Sequence, residues 1–264
     1  MKIRVRAAVC NHMGNIRGNN EDAFFLNGLY LPLERMDEGG AYTADASTSC
    51  QVYAICDGMG GEAAGEMASF TMVASLSSLM ESITREKSVR SEINKAVQEA
   101  NQSICKLNKG AGCTLALLCL HEGKATVAWL GDSRIYLLQK GKLLRLSEDH
   151  TQSQRLLNMG ILDEAEAKRH AMRHVLTRYI GMEMEDLLLQ PSYGEELMLH
   201  KSDVFLLCSD GLFDMVGEEY FASYLSKEPA AAAESLVEAA LTAGGKDNVT
   251  AMVVRIEGGK RRWL

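Results

Sequence analysis

Short runs of β-branched, aliphatic and aromatic residues recur along the whole chain, broken by turns rich in Gly and Asn, and two longer stretches carry a helical repeat. The runs at 3–10, 22–27 and 52–56 read as strands. After the third, 62–80 predicts a helix with Ala64, Met67, Ala68, Met72, Leu76 and Leu79 along one side. A second helix is predicted at 89–107, where Val89, Ile93, Ala96, Val97, Ala100, Ile104 and Leu107 form one stripe. Joined by a short polar link, the two should pack as an antiparallel pair on a sheet face. Runs at 113–121, 124–130, 134–139 and 142–146 then predict a meander of antiparallel strands, with hairpin turns at Glu122-Gly123 and Lys140-Gly141. Links this short exclude parallel crossovers, so the sheet is expected to be largely antiparallel.

Farther along, helices are expected at 149–159, closed by Gly160, and at 163–169, while 195–200 and 203–208 read as another hairpin. Segments 220–225 and 230–243 are the last helices, the second opened by Pro229 and closed by Gly244. Residues 248–256 form the final strand, and the basic tail 258–264 reads as frayed. The Gly- and Asn-rich stretch 11–21 reads as a loop facing something polar, and 28–49 as a surface insertion or long hairpin loop. Strands are scattered over the full length with no repeat and no linker, so 1–264 is expected to be one domain.

The totals narrow the function. The net charge is −7 with Lys and Arg spread along the chain, which leaves no basic face for nucleic acid. The seven cysteines include no Cys-x-x-Cys pair, and Cys56, Cys119 and Cys208 lie inside apolar runs. That usage points to buried thiols rather than disulfides or a thiolate zinc site. The N-terminal residues alternate charged and β-branched positions, and no run reaches the length of a membrane span. A soluble, cytoplasmic protein is expected.

Candidate chemistry gathers at the mouths of the strands. Asp57 follows the run at 52–56, and Gly58, Gly60 and Gly61 after it let the backbone turn and approach a ligand closely. Taken alone, Asp57 could simply cap a strand-to-helix turn. The pattern repeats, however: Asp210 follows 204–208, Asp132 follows 126–130, Asp247 precedes 249–254, and Glu21-Asp22 precede 23–26. If those strands share a core, their acids can converge on one cleft. Asp57, Asp210 and Asp247 could each give a carboxylate oxygen and Gly58 a carbonyl, with no Cys cluster or His-x-x-x-His beside them. An all-oxygen set selects Mn²⁺ or Mg²⁺ over Zn²⁺ or Cu²⁺. Two such ions about 3.5–4 Å apart, sharing a water, would generate hydroxide and clamp a phosphoryl group for in-line attack. Arg17 is then the fork for two phosphate oxygens, or else an ion-pair partner of Glu21 or Asp22. There is no Gly-x-Ser-x-Gly elbow and no P-loop, and the glycines at 58–61 lack the order of a dinucleotide loop. His12, His150 and His174 read as surface or packing residues.

Eight motifs stand in a telling order: Asn19-Asn20-Glu21-Asp22-Ala23, Asp57-Gly58-Met59-Gly60-Gly61, Gly65-Glu66-x-Ala68-Ser69, Gly131-Asp132-Ser133-Arg134, Leu146-Ser147-x-Asp149-His150, Leu176-Thr177-Arg178-x-x-Gly181, Ser209-Asp210-Gly211-Leu212-Phe213-Asp214 and Asp247-Asn248-Val249-Thr250. From about residue 10 to 256 the chain resembles the compact bacterial members of the metal-dependent protein phosphatases, type 2C. The resemblance implies an α+β fold, a four-layer α-β-β-α sandwich of two mainly antiparallel sheets flanked by helix pairs. It implies Mn²⁺- or Mg²⁺-dependent hydrolysis of phosphoserine and phosphothreonine in proteins, by direct attack of a water bridging two ions. By motif match Asp57 would bridge the ions, Gly58 would give its carbonyl to one, and Asp210 and Asp247 would hold the other. Glu21 and Asp22 would orient waters on the ions or touch an ion directly, Asp132 with Asp210 would make a third metal site, and Arg17 would grip the phosphate. Segment 154–189 corresponds to the mobile flap where substrates are selected. The implied partners are proteins phosphorylated by a cognate bacterial Ser/Thr kinase, with the enzyme a monomer. The pattern departs from the family in places. Met59 stands where many eukaryotic members carry a His proposed as general acid, Glu62 replaces a His common in bacterial members, and Cys113 interrupts a usual Gly-Thr-Thr. The rival readings are a non-catalytic relative that binds phosphoproteins or a kinase, and an enzyme for small phosphorylated metabolites.

Overall fold

The computed structural model describes residues 2–60, 64–83, 88–107, 110–183 and 189–260. Its strands are β1 (Lys2–His12), β2 (Asp22–Leu26), β3 (Gly40–Thr48), β4 (Cys50–Met59), β5 (Gly112–Cys113), β6 (Leu115–His121), β7 (Lys124–Leu130), β8 (Arg134–Gln139), β9 (Lys142–Arg145), β10 (Ser192–Tyr193), β11 (Leu197–Met198), β12 (Val204–Cys208) and β13 (Val249–Lys260). Its α-helices are α1 (Ala64–Ser82), α2 (Val89–Leu107), α3 (Gln152–Asn158), α4 (Glu164–Arg169), α5 (Asp210–Phe213), α6 (Phe221–Leu225) and α7 (Pro229–Thr242). One sheet runs β3-β1-β13-β12-β8-β9 and the other β10-β7-β6-β4-β2, with β11 beside β7 and β5 beside β4. Every pairing is antiparallel.

Strand alternation builds the layers. In β4, Tyr53 and Ile55 point into the space between the sheets, where they meet Val5, Phe24, Leu118, Ile135, Phe205 and Val254. Their neighbours Val52, Ala54 and Cys56 point the other way, under Met72, Leu76, Ile93 and Val97 of α1 and α2. On the far side, Leu206, Ala251 and Val253 pack against Leu212, Phe221, Leu236 and Val237 of α5, α6 and α7. Helices therefore cover both outer faces, and strands buried on both sides read as continuous apolar runs. Each fully buried Leu, Ile or Phe contributes roughly 1.5–3 kcal/mol, which fastens the strands firmly enough to hold charged groups at their ends.

Several expectations are corrected. The meander is two hairpins in different sheets: β6 and β7 belong to one, β8 and β9 to the other. The chain crosses at Gly131-Asp132-Ser133, where Gly131 takes φ +90° and a Cβ would stand 2.6 Å from Thr114. The 195–208 hairpin dissolves in the same way, because β11 pairs with β7 while β12 pairs with β8 and β13. Segment 28–49 is no simple loop, since it contains a 3-10 turn at Leu33–Glu38 and the edge strand β3, paired along β1. Only Tyr42, Ala44 and Ala46 of β3 are half-buried, too few large apolar residues to mark it. Nor is 258–260 frayed, for it continues β13 against Lys2–Arg4; residues 261–264 lie outside the described residues. Asp57 sits at the end of its strand as expected, and β4 runs on through Gly58 to Met59. The helix start expected at Glu62, and Gly61 before it, fall outside the described residues.

Candidate functional site

Strand register brings the acids together. Asp22 opens β2 directly opposite Asp57 of β4. In the other sheet Cys208 lies opposite Ala251 and Arg134, which sets Asp210 and Asp247 at the same end of the sandwich as the 131–133 crossover. Glu21, Asp57, Gly58, Asp132, Asp210, Asp247 and Arg17 all line one open cleft of about 1900 Å³. Asp22 lies beneath its floor, 2% exposed. Every site residue expected from sequence is thus placed at one mouth.

Close packing of backbone shapes this floor. A Cβ on Gly58 would stand 2.2 Å from the Gly65 carbonyl, and one on Gly65 would meet the Glu21 carboxylate at 2.7 Å. Gly58 N–H donates to the Glu21 carbonyl at 3.1 Å and Ser69 Oγ to the same oxygen at 2.6 Å. The 13–21 loop is held by the buried Asn248, whose Nδ2 donates to the Met13 and Asn19 carbonyls while its Oδ1 accepts from Glu21 N–H. Thr114 donates its N–H to the Asp57 carbonyl and receives the Asp57 N–H on Oγ1, which also lies 2.6 Å from Ser133 Oγ. Sequence reasoning gave no role to Asn248, Thr114 or Ser133. Asn248 stood inside a quoted motif, the signal that could have marked it.

The electrostatics are those of crowded carboxylates, with Arg17 beside Asp247 and His174 beside Asp210. Burial first, then Asp22, Asp210, Asp132 and Asp247, push Asp57 well above the usual carboxylate range. Burial likewise raises Asp132, with Asp210 adding to it. Burial pushes Asp22 up to about 7, against the hydrogen bonds it receives from Ser209 and Thr250. Asp22 Oδ1 is one of two buried side-chain polar atoms among the described residues with no hydrogen-bond partner. Arg17 does not pair with Glu21 or Asp22; its Nη2 donates to Asp247 Oδ2 at 2.7 Å, and the side chain stays half exposed.

His174, read from sequence as surface or packing, is at the cleft. Its Nδ1 lies 3.4 Å from Asp210 Oδ2 and its Nε2 3.1 Å from Asp214 Oδ2, and these two carboxylates raise it to about 10. Asp132, His174 and Asp210 bring one donor atom each within 4.8 Å of one another. Asp57, Asp210 and Asp247 share the cleft without forming so tight a trio. A donor set of carboxylates and carbonyls, with a buried carboxylate oxygen lacking any partner, suits hard divalent cations. The residues present fit such ions.

A family model described as protein phosphatase 2C matches residues 11–156, more than half of the chain. The serine/threonine protein phosphatase PstP of Mycobacterium tuberculosis is 31% identical over 96% of this chain. The chain belongs to the protein phosphatase 2C family. It spans 45% of the length of that PstP relative, and 88% of the serine/threonine phosphatase stp of Listeria monocytogenes, to which it is 31% identical over 83% of its own length. The solved catalytic domain of PstP, in complex with two manganese ions, superposes with a TM-score of 0.79 at 30% identity, covering 97% of this chain and all of that one. The four-layer sandwich is the architecture of this phosphatase family.

Proposed function

We propose that this chain is a Mn²⁺- or Mg²⁺-dependent phosphatase that hydrolyses phosphoserine and phosphothreonine in proteins. The observation that carries the reading is the convergence of Asp57, Asp132, Asp210 and Asp247 on one cleft that Arg17 also lines, with the buried Asp22 opposite Asp57 and its Oδ1 left without a partner. The named activity of the relatives and the manganese in the PstP domain support it. In this reading Asp57, the Gly58 carbonyl, Asp210 and Asp247 would hold two ions, Asp132 with Asp210 would hold a third, and Glu21 and Asp22 would orient waters there or touch an ion directly. Bound divalent ions there supply Lewis acidity, offsetting phosphoryl charge and acidifying water.

The chain's own groups do the rest. Arg17 already grips an anion, the Asp247 carboxylate, and its planar fork can exchange that partner for two phosphoryl oxygens. Carboxylates that repel one another and any free phosphate when bare leave the cleft selective for a cation-loaded state. The flap, 154–189, borders the cleft through Leu157, Ala167 and Leu176, and presents Lys168, Arg169 and Arg173 to a peptide; residues 184–188 lie outside the described residues. Met59 lines the cleft and has no proton to give a leaving alkoxide.

The same reading takes the chain as one catalytic domain, in which the first and last described strands, β1 and β13, pair in one sheet. It takes it as a cytoplasmic monomer acting on the products of a cognate Ser/Thr kinase; among the described residues no helix is long and apolar enough to cross a membrane. The test is turnover of a phosphothreonine peptide and of para-nitrophenyl phosphate with and without Mn²⁺. Metal-dependent turnover is expected, falling at least about 100-fold in Asp57→Asn, the scale of losing one preorganised transition-state stabiliser. Turnover indifferent to Mn²⁺ or to that substitution defeats the reading.

A further inference from the structure

We infer that Thr250 and Ser209 are positioning residues for Asp22, at the inner end of a buried hydrogen-bond chain anchored in the Leu33–Glu38 turn, and that this chain sets the cation affinity of the cleft. The inference rests on the phosphatase reading and deepens it, giving a role to the otherwise unassigned segment 28–49.

Ser209 Oγ and Thr250 Oγ1 each donate to Asp22 Oδ2 at 2.6 Å. The Thr250 main-chain N–H donates to Ser209 Oγ at 3.0 Å, which ties the Ser209 side chain to the backbone of β13. Behind Thr250, Asn11 Nδ2 donates to its Oγ1 at 2.7 Å, and Asn11 Oδ1 accepts from Asn20 Nδ2 at 2.5 Å. Asn20 Nδ2 also donates to the Met36 carbonyl at 3.1 Å, and its main-chain N–H to Asp37 Oδ1 at 2.7 Å. Asn20 Oδ1 closes a loop by accepting Asp22 N–H at 3.2 Å. Asn11, Asn20, Ser209 and Thr250 are at most 1% exposed, whereas Asp37 stands at the surface.

From the Asn20 amide inward the donors point toward the carboxylate, through Asn11 and the Thr250 hydroxyl to Asp22 Oδ2. Asn20 also donates outward to the turn and is held at that end. A hydroxyl that accepts from an amide becomes a stronger donor, and hydrogen bonds to a charged acceptor are the strong ones. Two of them saturate Oδ2 and fix the plane of the carboxyl group. Oδ1 is what remains, buried beneath the cleft with no partner in the protein. Leaving it bare is costly, and the chain holds it there for a ligand from outside. The turn supplies the fixed end, because Met36 is buried in the core beneath α1.

The test titrates Mn²⁺ alone into the metal-free protein by calorimetry, with melting curves in the absence and presence of the ion. Thr250→Val is expected to weaken the tightest Mn²⁺ binding at least about 10-fold, as loss of a supporting hydrogen bond does elsewhere. Thr250→Ser should stay within about 3-fold of wild type, and Asp37→Ala should weaken binding a few-fold with an unchanged metal-free Tm. For a phosphopeptide, kcat should fall in Thr250→Val with little change in KM. Wild-type Mn²⁺ affinity in Thr250→Val overturns the inference, as does a Tm lowered equally with and without the ion. Should Thr250→Val fail to fold, wild-type affinity in Asp37→Ala overturns it instead. A wild-type protein that binds no Mn²⁺ defeats the phosphatase reading itself, before any variant is compared.

Discussion

Arg17 shows how much one side chain's partner matters. It reaches past the acids beside it in sequence and bonds Asp247, 230 positions away. That pair is half exposed, so it contributes little to stability. In the proposed reading its value lies in holding a guanidinium at the rim where a phosphoryl group would enter. Lysine keeps the charge and loses the fork. Arg17→Lys is therefore expected to raise KM for a phosphopeptide about 10-fold, one weakened charge-assisted hydrogen bond, with Tm within about 1 °C of wild type. A KM unchanged in steady-state assays would remove Arg17 from phosphate binding. Asp57 is the opposite case, a residue whose charge burial and its acidic neighbours disfavour, a pattern that clusters at functional sites.

Among elements, the loop at 146–150 carries a coupling that its motif does not announce. His150 N–H donates to the Gly131 carbonyl at 2.9 Å, and Gly131 N–H donates to His150 Nδ1 at 3.1 Å, so one residue grips both backbone groups beside Asp132. With Nδ1 an acceptor, Nε2 carries the proton toward Ser192 Oγ, 3.0 Å away, and Arg178 donates to that same Oγ at 2.9 Å. Burial first, then Arg178, lower His150 to about 4, against the pull of Asp149. The folded protein thus binds this proton more weakly than the unfolded chain, whose histidine titrates near about 6.5. The stability His150 contributes is full above that value and is lost as pH falls toward about 4, at most about 3 kcal/mol in all. His150→Gln should flatten the decline of Tm between pH 6.5 and 4 while costing about 1 kcal/mol at pH 8. Parallel Tm-against-pH curves for the two proteins would contradict this.

At the scale of the molecule, the fold spends stability on its cleft. Several carboxylates are held where burial and mutual repulsion oppose their ionisation, and the packing of three apolar clusters, with the hydrogen bonds behind Asp22 and Asp57, keeps them there. A ligand that binds the folded form alone returns that stability by mass action. Mn²⁺ at 100 times its Kd should stabilise the protein by about 2.7 kcal/mol for each site filled, a Tm rise of several degrees reversed by EDTA. Calorimetric or dye-monitored melting checks it, and a Tm indifferent to Mn²⁺ would mean that the carboxylates do not share a cation.

Much of this was legible in the chain itself. α2 spans Val89–Leu107, the bounds of its apolar stripe, and α1 ends at Ser82, two residues past expectation. Strand cores, the antiparallel habit and the acids at strand mouths follow from periodicity and local turn chemistry, which depend on residues close in sequence. Three things did not follow. That β7 and β8 part company at Gly131–Ser133 turns on which partner each strand finds across the molecule, and both outcomes suit the same alternation. That His174 rather than a nearer group meets Asp210 depends on where the flap folds back. That Asn11, Asn20 and Thr250 stand behind Asp22 depends on β1 lying against β13, ends of the chain that meet only in the finished sheet. Local pattern decides what each segment can be, because propensity and burial act within a few residues. Only the closed sandwich decides which charges become neighbours, since electrostatics and hydrogen bonds act on distance in space and take no account of distance along the chain.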